Sequence, residues 1–151
     1  MPSVIVSDTS CLILFFKIGE LELLKKLFGT LHITETVQKE LNQPIPDWIE
    51  VVEPTKDLHK GLSSYLDKGE ATAIALAAEH ENSLLIIDEI KGRKAAKEMG
   101  ISVTGSLGVL VAAKNKGYIQ TVKPLIEKIQ NTNFRISKEL IERVLHKVNE
   151  S

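Results

Sequence analysis

The sequence predicts an α/β fold in which a parallel sheet carries helices on both faces. Short apolar runs recur along the 151 residues, and each is followed by a stretch with helical spacing. Glycines stand where most helical stretches end, and no internal repeat or low-complexity segment breaks the alternation. The apolar runs are VIV at 4–6, LHI at 31–33, IEVV at 49–52, LLII at 84–87 and ISV at 101–103, each of a length that suits a buried strand. Helical patterns cover about 10–18, 20–28, 35–43, 57–66, 70–81, 90–99 and 106–117, with two more over 121–131 and 137–148. Pro44 and Pro46 in QPIPDW make a rigid connection instead of a domain linker. Residues 1–151 are therefore expected to form one domain, with the helices of about 121–148 packing on it or on a partner.

Composition excludes several classes of function. With 43% hydrophobic and 26% charged residues the chain reads as a soluble domain able to bury a core. Its longest apolar runs, CLILFF at 11–16 and LLII, fall well short of the ~20 residues that cross a bilayer. The first residues lack the basic flank and cleavage site of a secretory signal, so a cytoplasmic location away from membranes is expected. Cys11 stands alone, which rules out an intramolecular disulfide and a thiolate zinc cage, and the four histidines share no metal-ligand spacing. The net charge of −1 hides an asymmetry: residues 1–90 hold 7 Lys+Arg against 15 Asp+Glu, and residues 91–151 hold 12 against 5. That split fits an acidic cation site facing a basic anion-binding surface, and equally two solvated faces.

In a parallel α/β sheet, ligands gather outside the carboxyl ends of the strands, where the strand-to-helix loops converge. Asp8 follows VIVS and Asp88 follows LLII, so both carboxylates are expected at that edge, unless each only caps the next helix. Two glutamates join them, of which Glu70 is the most informative of the four acids. In ITETVQKEL, Glu40 lies ~60° from Val37 around the helix and borders the buried stripe, whereas Glu35 lies ~160° away. In GEATAIALAAEHE, Glu70 shares an inward face with Ala73, Ile74 and Ala77, and it also stands in D-x-x-E capping spacing with Asp67. Gathered at one edge, four carboxylates repel one another unless a cation neutralises them. Mg²⁺ or Mn²⁺ with oxygen ligands solves that problem and supplies the chemistry of phosphodiester hydrolysis.

VIVSDTSCLI, VQKEL, LDKGEATAIALA, LLIIDEIKGRKAAKEMG and ISVTGSLGVLVAAKNKG, in this order, resemble the PIN-domain nucleases. They resemble in particular the subgroup encoded as the toxin half of toxin-antitoxin modules. The resemblance implies a twisted parallel sheet in a three-layer α/β/α sandwich and a metal-dependent ribonuclease, with an antitoxin protein and a second copy of the chain as partners. Carried onto this sequence, the four acids that hold the metal and carry catalysis fall on Asp8, Glu40, Glu70 and Asp88. Ser10, Glu89, Thr104 and Ser106 are the supporting groups expected around them. Many family members carry aspartate where Glu70 stands, and proline where Cys11 follows DTS; Glu89 is a substitute for the acid or amide usual in the fourth region.

Arg93, Lys94 and Lys97 share one face of their helix and are the expected RNA contacts. In TGSLG, Thr104 or Ser106 is expected to cap the following helix; ordering of a metal-bound water is a further role for either. The lysine of a P-loop is absent, so ATP binding is unsupported. Leu140, Ile141, Val144, Leu145 and Val148 form an apolar helix face suited to the chain's own core, to dimerisation or to an antitoxin. Cys11 and Trp48 read as core residues, and the 5% aromatic content argues against recognition through stacked bases. Two other readings stay open: a phosphohydrolase with Asp8 as covalent nucleophile, akin to haloacid-dehalogenase-like enzymes, and a non-catalytic binding module. Ser10 weakens the first, because it occupies the place of that family's second aspartate.

Overall fold

The computed structural model describes residues 2–151. Its strands are β1 (Val4–Ser7), β2 (Leu31–Ile33), β3 (Ile49–Val51), β4 (Ser83–Ile86) and β5 (Ser102–Thr104). All pair in parallel, in the order β3-β2-β1-β4-β5. From β1 the chain builds outward through β2 to β3, then crosses to the other side for β4 and β5. The switch point, where helices leave adjacent strands in opposite directions and open a crevice, therefore lies between β1 and β4.

The helices are α1 (Thr9–Lys17), α2 (Leu21–Phe28), α3 (Glu35–Leu41), α4 (Leu58–Leu62), α5 (Lys68–Ala78), α6 (Ile90–Glu98), α7 (Ser106–Asn115), α8 (Lys123–Gln130) and α9 (Lys138–Lys147). Alternation along the strands divides the interior in two. Ile5, Leu31, Ile33, Ile49 and Ile86 face a core with α1, α2, α3, α7, α8 and α9, whereas Val6, Leu85 and Ile87 face α4, α5 and α6. This is the expected sandwich, and the middle layer is buried on both faces as a parallel sheet requires.

Boundaries move where local chemistry decides. The 70–81 helix begins at Lys68, because Asp67 is already extended and serves as N-cap. Only Leu58–Leu62 of the 57–66 pattern is α-helical, and turns follow it. At the C-terminal end, Leu125, Ile126, Ile129, Ile141 and Val148 are buried in this chain's own core, while Leu140 stays 38% exposed. Glu150 fastens this layer: its carboxylate accepts hydrogen bonds from the Val122 and Lys123 amides at the start of α8 and from Lys114 Nζ. No helix among the described residues is long and apolar enough to cross a membrane.

Candidate active site

Asp8 is the first residue after β1, and its amide extends the ladder by donating to the Ile86 carbonyl at 3.1 Å. Its extended backbone makes it the N-cap of α1, and Oδ1 accepts from the Cys11 amide at 3.0 Å. The capping role read from the sequence is thus real, but it occupies one oxygen. The side chain is only 1% exposed. Burial pushes its pKa up to about 7, hydrogen bonds from Cys11 act against the rise, and the charges of Asp88 and Glu70 add to it. A helix N-terminus favours a carboxylate by about 0.3–1 kcal/mol, whereas a rise from 3.8 to about 7 is on the order of 4 kcal/mol. Desolvation wins.

Asp88 stands two residues beyond β4, half-buried on the neighbouring strand. Oδ1 accepts from the Ser106 amide at 2.9 Å; Oδ2 accepts from Ser106 Oγ at 2.5 Å and from the Cys11 thiol at 3.0 Å. This corrects two expectations. Neither Thr104 nor Ser106 caps α7, whose N-cap is Gly105 without a side-chain bond; Asp88 reaches across from β4 to satisfy the Ser106 amide. Nor is Asp88 the cap of α6, a role that Glu89 takes by accepting from the Lys91 amide. Gly105 makes the reach possible, since a Cβ there would collide with Asp88 Oδ1 and press on Arg93. Burial, followed by the charges of Asp8 and Asp88, holds the Cys11 thiol well above its ordinary range, so it remains a donor and no nucleophile.

Glu70 enters from the first turn of α5, 9% exposed, on the same inward face as Ala73, Ile74 and Ala77. The Asp67 side chain makes no cap bond, and of the expected capping box only the influence of the Asp67 amide on the Glu70 carboxylate remains. Burial raises the Glu70 pKa, as do the charges of Asp67, Glu89 and Glu40, against the lowering effect of that amide. Glu40 is the outermost of the four. It is exposed, accepts from Thr9 Oγ1 at 2.5 Å, and lies so close to the first turn of α5 that a Cβ on Gly69 would strike it.

A cleft of about 430 Å³ opens beside these acids; Ser10, Asp67, Glu70, Asp88 and Glu89 contribute to its walls. Asp8 and Glu40 lie behind or beside the cleft and not on its surface. Of the expected RNA contacts, Arg93 is turned inward, donating to the Ile87 carbonyl at 2.9 Å, where it steadies the segment that carries Asp88. Lys94 lines an adjoining cavity, and Lys97 is exposed but borders none of these cavities. Thr104 Oγ1 packs against Gly108 and makes no hydrogen bond to the acids among the described residues. The sequence reading missed Thr9, Tyr65, Lys91, Phe134 and Arg135; all but Thr9 line the acidic cleft. Lys91 had a signal, being one turn from Asp88; Phe134 and Arg135, in the unpatterned NTNFRIS segment, had none.

The donors around the cleft are carboxylate and hydroxyl oxygens, the chemistry of a hard divalent cation. Among the described residues no three His, Cys, Asp or Glu side chains converge as a ready ligand set. Several of their oxygens are turned to protein donors: Asp88 to Ser106 and Cys11, Asp8 to the Cys11 amide, Glu40 to Thr9. The residue types fit such a cation, and side-chain rotation would be needed to gather them.

The structure is a parallel α/β sheet with buried and half-buried carboxylates gathered at its switch point. A family model described as a PIN domain matches residues 4–150, and the chain belongs to the PIN-domain family. No curated protein and no solved structure matches it significantly. The family is generally one of nucleases, which makes hydrolysis the broad class of its chemistry.

Proposed function

We propose that this chain is a metal-dependent endoribonuclease that hydrolyses RNA phosphodiester bonds and acts as the toxin of a toxin-antitoxin pair. The observation that carries the nuclease reading is the gathering of Asp8, Glu70 and Asp88 at the switch point, with Asp8 only 1% exposed and Glu70 and Asp88 lining one cleft beside it. Asp8, Glu70 and Asp88, with Glu40 at the margin, are the residues that would hold Mg²⁺ or Mn²⁺. When bound, the cation supplies Lewis acidity and offsets charge on the phosphoryl oxygens. The chain's own contribution is placement. The β1 ladder and the Cys11 amide hold Asp8, and Ser106 and Cys11 hold Asp88, so both acids already stand at one edge of the sheet and only side-chain rotation remains to bring them onto a cation. The toxin role, the antitoxin partner and the homodimer rest on the family resemblance; a groove beside Asp88, with Ile90 at 79% exposure and Leu140 on its rim, is the surface that would suit an apolar partner.

The reading is tested by incubating labelled single-stranded RNA with wild type, Asp8→Asn and Asp88→Asn in Mn²⁺, Mg²⁺ or EDTA. Wild type should cut internally with metal and not in EDTA. Each variant should lose about 10²-fold or more, the loss seen when one preorganised charge-stabilising group is removed. Intact RNA under every condition sinks the proposal, as does cleavage that survives both substitutions.

A further inference from the structure

The acidic cleft is the middle of a longer groove. On one side it shares Tyr65 and Lys91 with a cavity that continues to Lys94 along α6. On the other side it shares Ser10, Phe134 and Arg135 with a cavity that continues to Lys17 on α1. Acids thus lie at the centre, and an aromatic ring and cations stand on each side.

The two aromatic residues both present surface to the groove. Tyr65 sits in the turn after α4 with 54% of its surface exposed, and its hydroxyl makes no hydrogen bond among the described residues. Phe134 is partly buried against the core but still lines three of the four cavities beside the acids, all but that of Lys94. Arg135 beside it is exposed, and no hydrogen bond or ion pair to a described residue engages its guanidinium. Lys17 Nζ donates to Asn133 Oδ1 at 3.0 Å, which ties the 131–137 segment to α1 and fixes this wall. Low aromatic content counted against stacking, yet two of the seven aromatic residues border the cleft.

We infer that Tyr65 and Phe134 position the substrate strand of the proposed nuclease, one base stacked on each ring, with flanking phosphates on Lys91 and Arg135. The inference rests on the nuclease reading for its choice of ligand and adds to it the residues that position the strand. A duplex would keep its bases stacked on each other and offer neither ring a face, so the groove discriminates by strandedness. Stacking tolerates any base, which makes the contact independent of sequence.

The test is fluorescence anisotropy with a labelled single-stranded RNA, the same strand in a duplex, and single-stranded DNA of the same sequence, in Ca²⁺ and separately in EDTA. The proteins are wild type, Tyr65→Ala, Tyr65→Phe, Phe134→Leu and Arg135→Gln. Phe134→Leu keeps apolar packing and removes the ring; thermal melting confirms that each variant is folded. Wild type should prefer the single strand. Tyr65→Ala and Phe134→Leu should each weaken single-strand binding about 5- to 150-fold and erode that preference, while Tyr65→Phe should stay near wild type. Arg135→Gln should lower the slope of log affinity against log salt by about 0.7. RNA and DNA arms that differ would show which strand chemistry the groove favours.

The inference is overturned if wild type binds no strand in either condition, if it prefers duplex, or if folded Tyr65→Ala and Phe134→Leu bind as wild type does. Hydrolysis is read separately, in Mn²⁺. RNA cleavage with unchanged binding in the variants rejects the stacking contacts alone; binding without cleavage rejects the nuclease reading and leaves the groove in place.

Discussion

Asp8 and Asp88 follow neighbouring parallel strands, one and two residues beyond their ends, and their surroundings differ. Asp88 is half-buried and has a backbone amide, a hydroxyl and a thiol directed at its two oxygens. Asp8 is almost wholly buried, and the Cys11 amide is its main donor. The deeper carboxylate is the less well served, which is why burial dominates its pKa. The difference teaches that one edge of a sheet can hold one acid by hydrogen bonds and keep its neighbour in want of a positive charge. Cys11 joins the two, giving its amide to Asp8 and its thiol to Asp88.

Three substitutions would break or sharpen that contrast. The largest effect belongs to Asp8. Its native pKa of about 7 exceeds the ordinary 3.8, so between those values the native protein binds more protons than the unfolded chain. Stability from this group is full below about pH 4 and is lost as pH rises through about 7. Asp8→Asn, which mimics the protonated acid, should match wild type near pH 4 and exceed it at pH 8 without metal, by up to roughly 4 kcal/mol in urea unfolding. A variant less stable than wild type at pH 8 would show that the buried carboxylate is fully served.

At Asp88 the sign reverses. Ser106→Ala removes a hydroxyl from a carboxylate that is well held, and should cost about 1.5–3 kcal/mol at pH 7 by the same measurement. No loss would mean that the Ser106 amide alone holds Asp88. The smallest change is Cys11→Ser, which preserves the amide and keeps a donor facing Asp88. Its unfolding free energy should stay within about 1 kcal/mol of wild type. A much greater loss would assign Cys11 to packing and not to joining the two acids.

The fold was legible because burial writes itself into local pattern. Short apolar runs marked every strand, and the small residues of α5 announced a helix buried from Gly69 to Ala77. Asp8, Glu70 and Asp88 were legible as strand-end or inward-facing acids. What the sequence concealed depends on partners that only the fold brings together. Arg93 looked like a surface cation because the Ile87 carbonyl that draws it inward is visible only once β4 has ended. Ser106 looked like a cap, but the acceptor for its amide comes from Asp88, 18 residues earlier. Phe134 and Arg135 lie in a segment without periodicity, so only the packing of α8 and α9 brings them to the cleft.

The clamp formed by Glu150 has a consequence for the order in which the protein is made. Every acid of the centre lies within the first 88 residues, whereas the wall bearing Phe134 and Arg135 belongs to a layer fastened by Glu150. At about 5–20 residues per second, a ribosome needs roughly 3 to 12 s to go from Asp88 to Glu150. During that interval the nascent chain has its carboxylates but no fastened far wall, and its groove is complete only after the clamp has left the ribosome.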